Sequence, residues 1–377
     1  MIEYLSLKKV TEQHLAEIQE AVARVTESGW YLQGAETKLF EQEWAHYCGC
    51  RHCIACGNGL DALTLILMAY KERGLLTEGD EVAVPANTYI ASILAITRCG
   101  LTPLLIEPDI NTLQIDGTRI EEALSPRTKA LMIVHLYGRN AFSPLIGDIC
   151  QQHNLLLIED CAQAHGIEKL TDMSRPLPSD RHARAYSFYP GKNLGVLGDA
   201  GAVVCDDDET AALIRALGNY GSSKKYVFPY RGINSRMDEI QAAVLQVKMK
   251  YLDSDNARRR ELALLYIDKV KNDCLTLPTQ EYWQESVFHI FPVLTEYRDE
   301  LQQYLHDNCI QTVIHYPIPP HKQECYSKGG QLKIPYPLPI TEAIHQQELS
   351  IPLNQTMREE EAVKIISCLN NFKMDNG

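Results

Sequence analysis

Apolar residues recur at helical spacing through residues 13–26, at Leu15, Ile18, Ala21, Val22 and Val25, and predict an amphipathic helix ending before Ser28-Gly29. A second helix is expected over 36–47. The loop between them carries Trp30 and Tyr31, which either line a surface or pack onto their own helix. After Gly57-Asn58-Gly59-Leu60-Asp61-Ala62-Leu63 comes an apolar helix over 64–70, stopped by Gly74. Strands then alternate with helices: strands over 81–85, 103–107, 130–137 and 155–160, helices over 88–99, 118–124 and 145–153. Nearly continuous apolar strands separated by helices predict a doubly wound, mostly parallel α/β sheet. In such sheets ligands sit at the carboxyl ends of the strands, where Asp160, Tyr137 and the 189–192 loop are expected to gather.

A strand at 201–205, a helix over 208–217 and a long amphipathic helix from 239 to about 252 complete this part. From 253 the pattern changes to a charged helix, a strand over 287–293, a helix over 298–308, the segment His315-Tyr316-Pro317-Ile318-Pro319-Pro320-His321, a strand at 349–353 and a last helix over 358–372. That reads as a large α/β domain over 1–252 and a small α+β domain over 253–377. There is no internal repeat. Residues 169–184 are polar and irregular, as expected of a surface excursion.

The stretch Ala185-Tyr186-Ser187-Phe188-Tyr189-Pro190-Gly191-Lys192-Asn193-Leu194-Gly195 carries the first candidate chemistry. A strand would turn Ser187 and Tyr189 to one side and Phe188 to the other, and Pro190-Gly191 would end the ladder so that Lys192 projects from a fixed loop. By itself this could be a solvated surface lysine. Beside hydroxyls and glycines, a fixed amine also suits an imine with an aldehyde cofactor. Asp160 ends an apolar strand and either caps the next helix or pairs with a cofactor ring nitrogen. Gln163 could reach the same ring from that turn, and His165 reads as structural. Gly57–Gly59 at a strand-to-helix junction could offer free N–H groups to a phosphate, without being a Walker loop or a dinucleotide fingerprint. Arg231, Asn234 and Arg236 form a concentrated phosphate-ready patch or a solvated basic turn.

The chain has 377 residues, 45% hydrophobic and 23% charged, enough for a full core. A formal charge of −13 argues against general nucleic-acid binding. No apolar run approaches the ~18 residues of a membrane span, and no basic-then-apolar start is present, so a cytoplasmic location is expected. Four of the twelve cysteines fall in Cys48-Gly49-Cys50-Arg51-His52-Cys53-Ile54-Ala55-Cys56. Alternation along a strand would send Cys53 and Ala55 away from Ile54 and Cys56, which opposes a shared metal and favours core filling.

Taken together, Ser28–Gly34, Gly57–Leu63, Pro85-Ala86-Asn87-Thr88-Tyr89, Glu159–Gly166, Ser187–Asn193 and Arg231–Asp238 resemble the nucleotide-sugar aminotransferases, a branch of the aspartate-aminotransferase-like, fold type I pyridoxal phosphate enzymes. The resemblance runs nearly end to end. It implies pyridoxal 5'-phosphate bonded to Lys192, Asp160 on the pyridine nitrogen, Gln163 on the ring hydroxyl and Tyr89 stacked on the ring. It also implies Gly59, Leu60 and Ser187 on the phosphate, with Asn234 from a partner subunit, hence a homodimer with shared sites. Where members usually have Ser-Gly-Thr this chain has Asn58-Gly59-Leu60, so only backbone donors survive there. The expected reaction moves an amino group from an amino acid, with glutamate the expected donor, to a ketone on a nucleotide-linked sugar. Lysine rather than histidine at 192 disfavours the related sugar dehydratases. The 315–323 segment is similar to that of members acting on dTDP-linked 3-keto-6-deoxy sugars, with Tyr189, Arg236, Tyr316 and His321 as substrate contacts. A 4-keto sugar, a catalytically degenerate scaffold and a metal protein are the alternatives.

Overall fold

The computed structural model describes residues 1–329 and 331–373. Seven strands form the main sheet: β1 (His52–Cys56), β2 (Glu81–Pro85), β3 (Thr102–Ile106), β4 (Thr128–Val134), β5 (Leu156–Asp160), β6 (His182–Ser187) and β7 (Gly201–Cys205). Their spatial order is β1-β7-β6-β5-β4-β2-β3. The ladders from β3 to β6 are parallel, whereas β7 runs antiparallel to both β6 and β1. The doubly wound, mostly parallel expectation holds. β2, β5 and β7 are buried throughout, as strands covered on both faces must be.

Alternation decides which core each strand residue joins. In β1, Ile54 and Cys56 pack into the cluster around helix Gly59–Glu72, whereas Cys53 joins Trp44, Phe188 and Met237 on the other face. The cysteine run is thus split between two cores, as the period of two requires. In β5 the same rule puts Leu156 and Ile158 on one face and Leu157 on the other. A separate apolar cluster gathers Ile2, Tyr266, Phe291, Leu301, Leu349 and Ile365 around the two-stranded sheet of β8 (Phe291–Leu294) and β9 (Glu348–Ile351).

Several boundaries move from those expected. The strand over 130–137 stops at Val134, because the chain turns through Leu136–Gly138 with Tyr137 at φ 61°. The strand over 287–293 begins only at Phe291, since Val287 donates its N–H to Gly138 and Phe288 takes φ 46°. Helices Leu7–Glu12 and Pro339–Gln347 are additions to the elements expected from the sequence. The 169–184 excursion is more than a surface loop. The Arg175 side chain, 1% exposed, runs back to the sheet and grips Glu159 with Nε and Nη2 at 2.9 and 2.8 Å.

Candidate active site

The carboxyl ends of β4, β5 and β6 open into a cavity of about 690 Å³ lined by Gly59, Leu60, Tyr89, Asp160, Gln163, Ser187, Tyr189, Lys192 and Tyr316 among others. Nine residues expected from sequence therefore meet in one place. Lys192 sits in a loop closed by backbone bonds from Phe188 to Ala200 and from Val196 to Phe188. Within it Gly195 is obligatory in space, since a Cβ there would lie 2.5 Å from the Pro190 carbonyl oxygen. Ser187 and Tyr189 line the cavity while Phe188 is fully buried on the other side, the alternation the sequence predicts. Asn193 ties this loop to chain beyond residue 252 by donating to Asn256 Oδ1 at 2.9 Å and to the Val287 carbonyl at 3.2 Å.

Burial pushes the Lys192 amine down to about 8, against the pull of Asp160. The two residues that the chemistry needs together are close enough for each charge to act on the other. A buried ammonium loses hydration, which shifts the amine toward its neutral, nucleophilic form relative to a solvated lysine. Asp160 itself is raised above the usual carboxylate range by burial, although the Ala162 N–H (3.1 Å) and the Ser92 hydroxyl (2.9 Å) favour its charged form. Such a carboxylate is under-compensated and fits a cation facing it, as a protonated ring nitrogen would be.

Gln163 is clamped at both ends. Its Oε1 accepts from the Tyr137 N–H at 2.5 Å, and its Nε2 donates to the Tyr316 hydroxyl at 3.1 Å. Tyr316 lies 4.9 Å from the Tyr89 ring, and Tyr89 is half exposed to the cavity. Helix Gly59–Glu72 aims its N-terminus at the same space. Asn58 caps it by accepting from the Asp61 N–H at 2.9 Å, which leaves the Gly59 and Leu60 N–H groups without intrahelical acceptors. A Cβ on Gly59 would lie 2.5 Å from Ser187 Cβ, so glycine alone lets helix and Ser187 converge into an anion cradle.

Residues 12–370 match the model of the DegT/DnrJ/EryC1/StrS aminotransferase family. The chain belongs to that family. It is 49% identical, over 99% of both chains, to the dTDP-3-amino-3,6-dideoxy-alpha-D-galactopyranose transaminase of Aneurinibacillus thermoaerophilus. It superimposes on the crystal structure of S. venezuelae DesV in complex with a ketimine intermediate with a TM-score of 0.91, 39% identity and 99% of each chain covered. It also resembles NtdA from Bacillus subtilis, solved with bound cofactor PMP, at a TM-score of 0.87 and 31% identity, covering 97% of this chain and 83% of that one. The fold is the type I pyridoxal phosphate aminotransferase fold, and the protein is a pyridoxal phosphate-dependent aminotransferase.

Three residues expected in this aminotransferase's site lie elsewhere in the single chain. Asn234 borders a separate cleft with Asp61, Arg98 and Arg231. Arg236 donates to Asn219 Oδ1 at 3.3 Å and lies over the Tyr220 ring. His321 pairs with Glu342 at 3.2 Å. Sequence reasoning also missed cavity-side groups. Ser92, on Asp160, looks like an ordinary polar position in a helix. Arg259 is one of three consecutive arginines on a charged helix, yet it is buried and lines the cavity. His289 and His315 come from chain more than a hundred residues beyond β5. His165 is buried among Trp44, Tyr186 and Phe188, and burial pushes it down to about 3, consistent with a neutral packing role.

Proposed function

We propose that this aminotransferase carries an amino group from an amino acid, glutamate in the reading we favour, to a dTDP-linked 3-keto-6-deoxyhexose. The product is a dTDP-3-amino-3,6-dideoxyhexose of the kind used in surface polysaccharides or glycosides. The convergence of a buried, partly neutral Lys192 with an under-compensated Asp160 carries the reaction class. The similarity to a 3-amino-3,6-dideoxyhexose transaminase over the full chain supports the sugar.

When bound, pyridoxal phosphate supplies an aldehyde for the amino group and a protonated ring that draws electrons from the bond being broken. The chain's own groups do the rest. Lys192 Nζ would hold the cofactor's aldehyde group and, when free, would serve as the base that takes and returns the proton at the substrate carbon. Asp160, oriented by Ser92 and the Ala162 N–H, would keep the ring nitrogen protonated. Gln163 would meet the ring hydroxyl, Tyr89 would cover the ring, and the N–H groups of Gly59 and Leu60 with the Ser187 hydroxyl would receive the phosphate. In this reading residues 1–252 bind the cofactor and 253–377 add the far wall. Tyr189 and Tyr316 contact the sugar nucleotide, whereas His321, paired with Glu342, does not line this cavity.

Asn234 and Arg236 are taken to act across a homodimer interface on the partner's cavity. That neither lines the cavity of its own chain supports that assignment, as do the exposed apolar side chains of Trp30, Tyr31, Tyr226, Val227 and Phe228. The same reading places the enzyme in the cytoplasm, where the twelve free cysteines remain reduced. Incubating the purified protein with glutamate and each dTDP-keto-hexose, with mass spectrometry of the products, tests the substrate. The 3-keto sugar should gain the amino group, and preferential amination of a 4-keto sugar would overturn that choice. Lys192→Ala should lower turnover by about 10²–10⁴-fold or more, and retained full transamination would remove Lys192 from its role.

A further inference from the structure

The wall of the cavity nearest β9 carries titratable groups that the chemistry at Lys192 leaves unused. Glu348 and Ser350 are two apart on β9, share a face and are completely buried. Val313 bridges to Ser350 and brings His315 alongside. The His315 backbone N–H donates to Glu348 Oε2 at 2.6 Å, its Nδ1 lies 2.8 Å from Ser350 Oγ, and Ser350 Oγ donates to Glu348 Oε1. A carboxyl, a hydroxyl and an imidazole thus stand in line. His315 lines the cavity, and among the described residues its Nε2 has no protein partner.

Polarity in such a line is all or none, because a serine hydroxyl has a single hydrogen to donate. With Glu348 ionised, Ser350 donates to it and accepts from Nδ1–H, leaving Nε2 a bare acceptor. With Glu348 protonated, the carboxyl donates to Ser350 and Ser350 donates to a bare Nδ1, so the imidazole proton sits on Nε2. The balance closes on one proton. A proton entering at Nε2 from the cavity sends the Nδ1 proton to Ser350 Oγ and the Ser350 proton to Glu348, with only N–H and O–H bonds exchanged.

We infer that Glu348, Ser350 and His315 form a proton relay that sets whether the enzyme offers a hydrogen-bond donor or an acceptor to the hydroxyl groups of its bound sugar. His315 is then a specificity-determining residue and Glu348 its positioning residue. The identity of the occupant rests on the nucleotide-sugar reading; the relay itself does not. Glu348 is faced by Arg298 and by the hydroxyls of Tyr4, Tyr137, Tyr282 and Tyr316, and His315 by Lys192, His289 and the Tyr4 ring. Burial raises Glu348 to about 8, against the bonds from Ser350 and the His315 N–H. Burial and Lys192 hold His315 down to about 4, so the ring stays neutral and hands a proton on.

The test is imidazole ¹⁵N spectroscopy of the holoenzyme across pH 6–10, with the His315 signals assigned by their loss in His315→Phe. The wild type should exchange protonated Nε2 for protonated Nδ1 in one step as pH rises. In Glu348→Gln the amide oxygen keeps the His315 N–H and the amide hydrogens face Ser350, so Nε2 should stay protonated throughout. A single tautomer at every pH in the wild type would overturn the relay, and so would a step that survives in Glu348→Gln. The KM for the sugar should change with the same midpoint while that for glutamate does not, and a sugar KM indifferent to the step would overturn the specificity role. Failure of the nucleotide-sugar reading shows differently, as absence of amination of any keto sugar by an enzyme whose tautomers do exchange.

Discussion

Glu159 and Asp160 are neighbours on one strand, both buried, and they end in opposite electrostatic states. Glu159 points to the face of the sheet that carries the 169–184 excursion. There it accepts from Arg175 at two points, from His135 at 2.8 Å and from His182 at 2.5 Å. Burial pushes it up, but the Arg175 guanidinium and the two imidazoles hold it well below the usual carboxylate range. Asp160 points to the cavity with one hydroxyl, one N–H and the Lys192 amine, and burial leaves it raised. A carboxylate with all its partners holds structure together, whereas one with too few stores free energy for a cation that arrives with the cofactor.

The largest expected effect breaks the structural half of this pair. Glu159→Gln leaves Arg175 without its counter-charge and should cost about 3–5 kcal/mol in denaturant unfolding. Because Glu159 has a depressed folded pKa, its contribution is present above its unfolded pKa and is lost as pH falls. The variant should therefore show a flatter acid limb than the wild type. Next comes Asp160→Asn, which should lower turnover by roughly 10²–10³-fold. In the cofactor-free protein the same change should raise stability at neutral pH by about 1 kcal/mol. The sign follows from the raised folded pKa: Asp160 favours the fold only when protonated, and that contribution disappears as pH rises. If Asp160→Asn destabilised the cofactor-free protein as Glu159→Gln does, the contrast would collapse. The smallest effect sharpens the functional side. Tyr316→Phe removes one hydrogen bond to Gln163, worth about 1 kcal/mol, and should appear as a severalfold rise in the cofactor dissociation constant with little loss of stability.

Periodicity was enough to reveal the parallel sheet, the split of the cysteine run and the alternation of Ser187, Phe188 and Tyr189, because a period of two or 3.6 is written directly into residue order. The same order places Asp160 and Lys192 after apolar strands at the carboxyl edge, where sheet topology collects ligands. Partners far apart in sequence leave no periodic trace. Arg175 reaching Glu159, Ser92 reaching Asp160, and His315 lying beside Glu348 and Ser350 are products of packing, in which loops and helices of different parts of the chain meet at one strand end. Residue order thus determined the scaffold and the reacting groups. Tertiary structure alone decided which carboxylate is neutralised and which is left waiting, since a buried charge takes its state from whatever the fold sets within a few ångströms of it.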